Sequence, residues 1–260
     1  MSNRFISLDS PDLAKNCPAI FATAPAEKVS AAYTFVPTHE VLRTLESHGW
    51  GITSAKQQKA FKSDPSTGKH MVSMRHRDHS PVARELGALQ FQVNLVNSHD
   101  WSSRLNLSLG MFRLVCTNGL IASVGDYVSY NVRHDNIRED VETVLARINS
   151  GSQRMLSVVQ SWAEIKVDPL EFGRKAAKIR FENLEGSELE TAGRNMVEVR
   201  RATDAENTLW NVYNRAQEAG MRGGFRVRAR AARQISNIRN EYQFNENLWQ
   251  LAENFAAGTV

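Results

Sequence analysis

Apolar residues recur along the chain at two different periods, and the change of period divides it. Leu89, Phe91, Val93 and Leu95 alternate with Gln90, Gln92 and Asn94, the period-two pattern of a strand with one dry and one wet face. After the polar break Asn97-Ser98-His99-Asp100, the alternation resumes at Leu105, Leu107, Leu109 and Met111. It slips phase past Gly110 to Phe112, Leu114 and Cys116, and a glycine at such a slip predicts a β-bulge. Asn118-Gly119 is a two-residue hairpin signal, with Tyr127 to Val132 as the returning strand. Upstream, Tyr33–Val36, Trp50–Lys56 and His70–Arg77 read as further strands. A helix opens at Pro37-Thr38 and runs to Ser47, and Asp64-Pro65-Ser66-Thr67-Gly68 reads as a turn.

From Asn136 to about Lys166 the period changes. Ile137, Val141, Val144, Leu145, Ile148, Met155, Val159 and Trp162 fall at helical spacing, with Ser150-Gly151-Ser152 as a point of kinking or splitting. Asp168-Pro169 opens a second helix as N-cap and first-turn proline. Thr203-Asp204-Ala205-Glu206 fits a capping box before Leu209, Trp210, Val212 and Tyr213. Asn245 is the expected cap of a last helix with Leu248, Trp249, Leu251 and Phe255. Strands in the first half and helices in the second predict an α+β fold: an antiparallel meander sheet with a helical C-terminal half packed against it. The expected organisation is an irregular lead-in over 1–30, a sheet with one helix over 31–135, and a helical region over 136–260 within the same globular unit.

Composition changes this picture little. Of 260 residues 42% are hydrophobic, enough for a core and against wholesale disorder. No apolar run approaches the ~18 residues of a membrane span, and Met1-Ser2-Asn3-Arg4-Phe5 lacks a signal-peptide core. The cytoplasm is therefore the expected compartment, with the two cysteines, Cys17 and Cys116, reduced.

Charge matters more by distribution than by its net value of +4. Arg222, Arg226, Arg228, Arg230, Arg233 and Arg239 lie in a stretch with no acidic residue among them, a local nucleic-acid signal. As a strand, Arg226, Arg228 and Arg230 share one face; as a helix, Arg226, Arg230 and Arg233 align. Phe225, Tyr242 and Phe244 flank them, and aromatics beside arginines serve single-strand binding. The plainer reading is a solvated face whose arginines pair with the acidic residues of Glu182 to Glu190 or with a partner subunit.

Two central stretches, Leu95-Val96-Asn97-Ser98-His99-Asp100-Trp101 and Gly110-Met111-Phe112-Arg113-Leu114-Val115-Cys116-Thr117-Asn118-Gly119-Leu120, are distinctive together. With Thr208-Leu209-Trp210-Asn211-Val212-Tyr213-Asn214, Gly223-Gly224 and Asn247-Leu248-Trp249, the chain resembles the domain-of-unknown-function 932 family over about residues 30–256. That resemblance implies a setting in phages, plasmids and prophage islands. It implies no activity and no catalytic residues.

Within those stretches, Ser98-His99-Asp100 holds the residue types of a hydrolase triad. Consecutive side chains point different ways, however, and a self-capped turn needs the same residues. Cys116, with His99 or Arg113 to lower its pKa, has the makings of a nucleophile, but sits where free cysteine behaves as a small hydrophobe. Arg113, on a strand of core residues, needs a carboxylate or a ligand, and Asp100 is the expected partner. Asn97, His99, Asp100, Arg113 and Asn118 thus form either a pocket or a structural motif. His70, His76, Asp78, His79, His99 and His134 match no standard zinc spacing; no metal, cofactor or catalytic residue is assigned. The expected function is a mobile-element nucleic-acid-binding protein, with single-stranded DNA a possible ligand, in replication, recombination or DNA protection, contacting through the arginine stripe. The alternative is a non-catalytic factor that binds and inhibits a host defence enzyme. Homo-oligomerisation fits either; a membrane fits neither.

Overall fold

A computed structural model describes residues 5–30, 33–58, 64–77, 82–113, 118–121, 137–228 and 230–260. The chain divides into two interleaved compact units: Met1–Val82, Gln90–Phe112 and Ser123–Gln153 in the first, and Ala83–Leu89, Arg113–Ala122 and Arg154–Val260 in the second. The α+β reading holds, with the antiparallel sheet in the N-terminal half and the helices in the C-terminal half.

In the first unit, β1 (Trp50–Gln57), β2 (His70–His76), β3 (Leu89–Asn97) and β4 (Asn106–Arg113) follow one another across the sheet in chain order. Met74↔Val93 and Val72↔Leu95 pair on one face, Ser73↔Asn94 and Arg75↔Gln92 on the other. The apolar face receives α2 (Thr38–Ser47), whose Val41, Leu42 and Leu45 are fully buried and which packs on β1. Among the described pairings the register slips in β1, between Ile52 and Ser54; the pairing of Gly110 lies outside them.

Several local expectations change. The lead-in is not irregular: α1 (Pro11–Asn16) and a 3₁₀ turn at Pro18–Phe21 bury Leu13, Cys17, Ala19 and Ile20. Cys17 is a free buried thiol. Tyr33–Val36 joins no ladder; Tyr33 Oη donates to the Ser98 carbonyl at 2.8 Å instead. The polar face of β3 is not wet, since Gln90, Gln92 and Asn94 are buried. Asn118-Gly119 does not form a turn but begins β5 (Asn118–Ile121). Cys116 and the strand expected at Tyr127–Val132 lie outside the described residues.

The second unit is mainly helical. α3 (Ile137–Glu164), whose residues up to Gln153 belong to the first unit, stays one helix through Ser150-Gly151-Ser152, because one glycine costs only about 1 kcal/mol of helix propensity. α4 (Pro169–Arg180) starts as expected, Asp168 accepting from Leu170 N–H. α5 (Gly186–Met196) lies against α4. α6 (Leu209–Arg222) begins at Thr208, not Thr203, with Thr208 Oγ1 accepting from Asn211 N–H. α7 (Ile238–Ala256) is capped by Asn237; Asn245 is interior and buried, donating to the Glu241 carbonyl and accepting from Gln217. Trp162, Tyr213 and Trp249 form the centre, with ring centroids 4.4 to 5.8 Å apart, and Trp210 stacks on Tyr213 at 6.0 Å.

Aromatic cores of this kind carry large packing terms. Trp249→Ala is expected to destabilise the protein by roughly 3–5 kcal/mol, with loss of near-ultraviolet circular dichroism, measured by urea unfolding.

Candidate functional site

The polar break that ends β3 is built into the first unit as a buried network. The Asn97 amide donates to Thr38 Oγ1 (3.0 Å) and accepts the Ser98 N–H (2.9 Å). Thr38 Oγ1 lies 2.8 Å from His70 Nε2 and 3.4 Å from His99 Nε2. His70 Nδ1–H donates to the Gly68 carbonyl and His99 Nε2–H to the Ala19 carbonyl. In this arrangement Thr38 gives its hydroxyl proton to His70, and each imidazole is neutral. Four segments, the lead-in, α2, β2 and the end of β3, are thereby tied together through buried side chains.

Ser98, His99 and Asp100 do not converge. Ser98 Oγ donates to the Ser103 carbonyl and accepts the Ser103 N–H. Asp100 accepts from Ser102 N–H. Burial works to raise the Asp100 carboxyl, but hydrogen bonding, led by Ser102, outweighs it and holds it below the usual range. Each side chain is committed to a different partner, so the run is a structural turn. The next residue, Trp101, takes a left-handed conformation at φ 70° and leaves its side chain 60% exposed.

Arg113, in the second unit, is 1% exposed. Its partner is Asp204, at 2.6 Å, and not Asp100; Nε also donates to the Leu86 carbonyl at 3.0 Å. The Trp210 indole N–H donates to that same carbonyl. The guanidinium passes close over Gly87, φ +102°, where a Cβ would lie 2.3 Å from Arg113 Nε. Asp204 is held in turn through its own carbonyl by Arg215 Nε (2.7 Å). The expected capping box does not form: Asp204 is taken up by Arg113 within a 3₁₀ turn (Ala202–Asp204), and Glu206, the carboxylate of the box, pairs with Lys166 at 2.9 Å. Glu218 nearby takes Arg201 and Arg222. Asn118 opens β5.

The arginine stripe forms neither a single strand nor a helix. β6 (Arg226–Val227) and β7 (Arg230–Ala231) make a tight hairpin, paired Arg226↔Ala231 and Val227↔Arg230. Facing residues share a side of a ribbon, so Arg226 and Arg230 emerge on opposite sides, not on one face. Gly223, φ +65°, lets the base close, since a Cβ there would meet the Ala232 carbonyl oxygen at 2.4 Å. Arg180 braces the same base by donating to the Gly220 and Arg233 carbonyls. Arg228 at the turn is neutralised by Glu188 (2.8 Å) and the Asn183 carbonyl, and Arg222 pairs with Glu218 (2.8 Å). Arg226, Arg230, Arg233 and Arg239 are exposed and have no acidic partner among the described residues. The flanking aromatics turn inward: Phe244 is buried and Phe225 packs edge-on against Phe181.

Among the described residues no group of three metal-binding side chains occurs; His76 is engaged with the His48 carbonyl and Trp50. Asp78, His79 and His134 lie outside the described residues. No described helix is long and apolar enough to cross a membrane.

Sequence reasoning missed a ladder on the polar face of the sheet. Ser73 Oγ and Gln92 Nε2 both donate to Asn94 Oδ1, at 2.8 and 2.7 Å, and Arg75 reaches Gln90. Parity put these residues together, but nothing in the pattern distinguished a buried polar face from a wet one.

Fold and site together define an α+β protein whose signature polar residues are spent on buried structural networks. The model of the family described as a domain of unknown function, DUF932, matches residues 25–249, and the chain belongs to that family. It is 26% identical over 262 aligned residues to UPF0380 protein YfjQ and to UPF0380 protein YafZ, both of Escherichia coli (strain K12), with 95% of this chain and 90% of each relative covered. No solved structure matches.

Two outcomes test these networks. Asp204→Ala leaves a buried guanidinium without its carboxylate and is expected to cost roughly 3–5 kcal/mol in urea unfolding. Burial lowers both His70 and His99 from the ordinary 6.5 to about 4, with the Asp100 charge opposing this at both, and His99 and His39 reinforcing it at His70 and His99 respectively. Their stabilising effect is complete above pH 6.5. It drains away as pH falls toward 4, because there only the unfolded chain takes up the protons. The unfolding midpoint is expected to fall across that window, and about half of the fall to vanish in His99→Gln.

Proposed function

We propose that this protein binds nucleic acid through the phosphate backbone, using the hairpin arginines Arg226, Arg230 and Arg233 with Arg239 at the start of α7. One observation carries this reading: these four exposed guanidinium groups have no acidic partner among the described residues, whereas Arg222 and Arg228 in the same stretch are neutralised within the chain. Arginine presents a planar fork suited to phosphate oxygens. Placing the groups on both sides of a ribbon suits a backbone that curves around it better than a flat track. Because Phe244 is buried and Phe225 is engaged with Phe181, base stacking is not expected from these aromatics. Binding is therefore electrostatic and tolerant of sequence, in keeping with a role in replication, recombination or protection of phage or plasmid DNA.

A second reading, a non-catalytic factor that contacts a host protein, is favoured by the exposed Trp101 and not by the arginines. Tryptophan is over-represented among the residues that dominate protein interfaces.

Fluorescence anisotropy with labelled single-stranded and duplex DNA and RNA at low and physiological salt tests the first reading. Affinity is expected to fall steeply with salt as counterions are released. For duplex DNA, each of Arg226→Gln, Arg230→Gln and Arg233→Gln is expected to flatten the log–log salt slope by about 0.9 for every phosphate it ceases to neutralise. Arg228→Gln, already neutralised by Glu188, should change it least. Salt-independent binding, or full affinity in the triple variant with its circular dichroism intact, overturns the reading.

A further inference from the structure

Trp101 is the one tryptophan left open to solvent. Trp50, Trp162, Trp210 and Trp249 are each 3% exposed or less, against 60% for Trp101. Its left-handed backbone is uncommon for a bulky residue, and the turn around it is fixed by the Ser98–Ser103 and Asp100–Ser102 bonds. A large apolar side chain is thus held in water on a rigid loop, with the Tyr33 ring 6.2 Å away.

The charge around it selects a partner. Asp100, the preceding residue, lines a groove of about 720 Å³ between the lead-in segment and the turn at Asp64–Thr67. Among the described residues the charged ones lining that groove are Glu27, Asp64 and Asp100 against Lys28. Asp100 stays ionised, its pKa held low, and its charge helps burial to raise the Tyr33 hydroxyl. An aromatic face beside a fixed carboxylate and an acidic groove repels a phosphate backbone. It attracts a guanidinium or ammonium group, which gains from the ring quadrupole and from the carboxylate together.

We propose that the Trp101 loop and the adjoining groove form a docking surface for an arginine- or lysine-bearing segment of a partner protein. A cationic side chain lies over the Trp101 ring with Asp100 as its counter-charge, and the following residues of the segment run into the acidic groove. This rests on the protein-partner reading and is independent of the hairpin arginines, which belong to the other unit.

Because the other four tryptophans are buried, acrylamide quenching of intrinsic fluorescence reports on Trp101 in the unmodified protein. A short arginine homopeptide is expected to shield Trp101 from quencher, whereas a glutamate homopeptide and oligothymidylate leave it open. Asp100→Asn keeps the acceptor for Ser102 N–H and is expected to weaken the arginine peptide about fivefold, the scale of one exposed cation–π or ion-pair contact. Trp101→Gly suits the positive φ and so preserves the fold; calorimetry is expected to show the peptide no longer bound. Shielding by the glutamate peptide instead overturns the proposed chemistry while leaving a protein partner standing. Shielding by oligothymidylate alone removes the protein-partner reading at this face. Shielding that rises with protein concentration without any peptide assigns the surface to a second copy and overturns the proposal, as does no response to any probe.

Discussion

The second unit depends on one buried ion pair. Arg113, at the end of a strand of core residues, has no route to water, and a guanidinium cannot shed its charge to suit an apolar site. It must therefore be met by a carboxylate, and Asp204 meets it from 91 positions along the chain. Meeting it fixes more than the pair. The Leu86 carbonyl is shared between Arg113 and Trp210, Gly87 must be a glycine to let the guanidinium pass, and Asp204 must sit in a 3₁₀ turn whose carbonyl faces Arg215. Helix α6 can begin only after that turn, at Thr208. The position of the Trp162–Tyr213–Trp249 centre on α6 follows from where the helix starts.

The first unit has a neutral counterpart. Thr38, Asn97, His70 and His99 are joined by hydrogen bonds to one another and to the Gly68 and Ala19 carbonyls with no net charge at neutral pH, while His99 Nδ1 is left buried without a partner among the described residues. Both histidines then avoid the desolvation cost that an imidazolium would meet there. Signature residues that look chemical in a linear reading are thus consumed as structure in both units.

What could be read in the sequence follows the range of the forces involved. Period-two and helical spacing report burial of neighbours a few residues apart, and they located β1 to β3, α2 and α3 with nearly correct bounds, whereas the Asp168-Pro169 cap gave only the start of α4. Helix starts depend on which polar side chain is free to cap, and that is settled at long range. The Thr203–Glu206 box lost Asp204 to Arg113 and its own carboxylate, Glu206, to Lys166, and Asn245 was disqualified by its place on the apolar face of α7 beside Gln217. The same limit explains Arg113 itself: its need for a partner was legible, and Asp100 was chosen because it was near in sequence. Gln90, Gln92 and Asn94 alternate as a wet face does, and only their mutual hydrogen bonds reveal a dry one. The arginines show the limit most sharply, since a turn at Arg228 reverses the parity that placed Arg226 and Arg230 together.

A polar group in a folded chain is either satisfied internally or left for something else to satisfy. Applied to arginine here, the distinction separates two populations. Arg113, Arg201, Arg215 and Arg222 are held by Asp204, Glu218 and backbone carbonyls, whereas Arg226, Arg230, Arg233 and Arg239 project with no acidic partner among the described residues. Applied to tryptophan it does the same, with four rings buried and Trp101 outside. Holding a tryptophan largely in water on a left-handed residue costs the chain free energy on both counts, offset within the fold by the tilted contact with the Tyr33 ring at 6.2 Å. That open face is where the proposed cationic segment would dock, with Asp100 as its counter-charge.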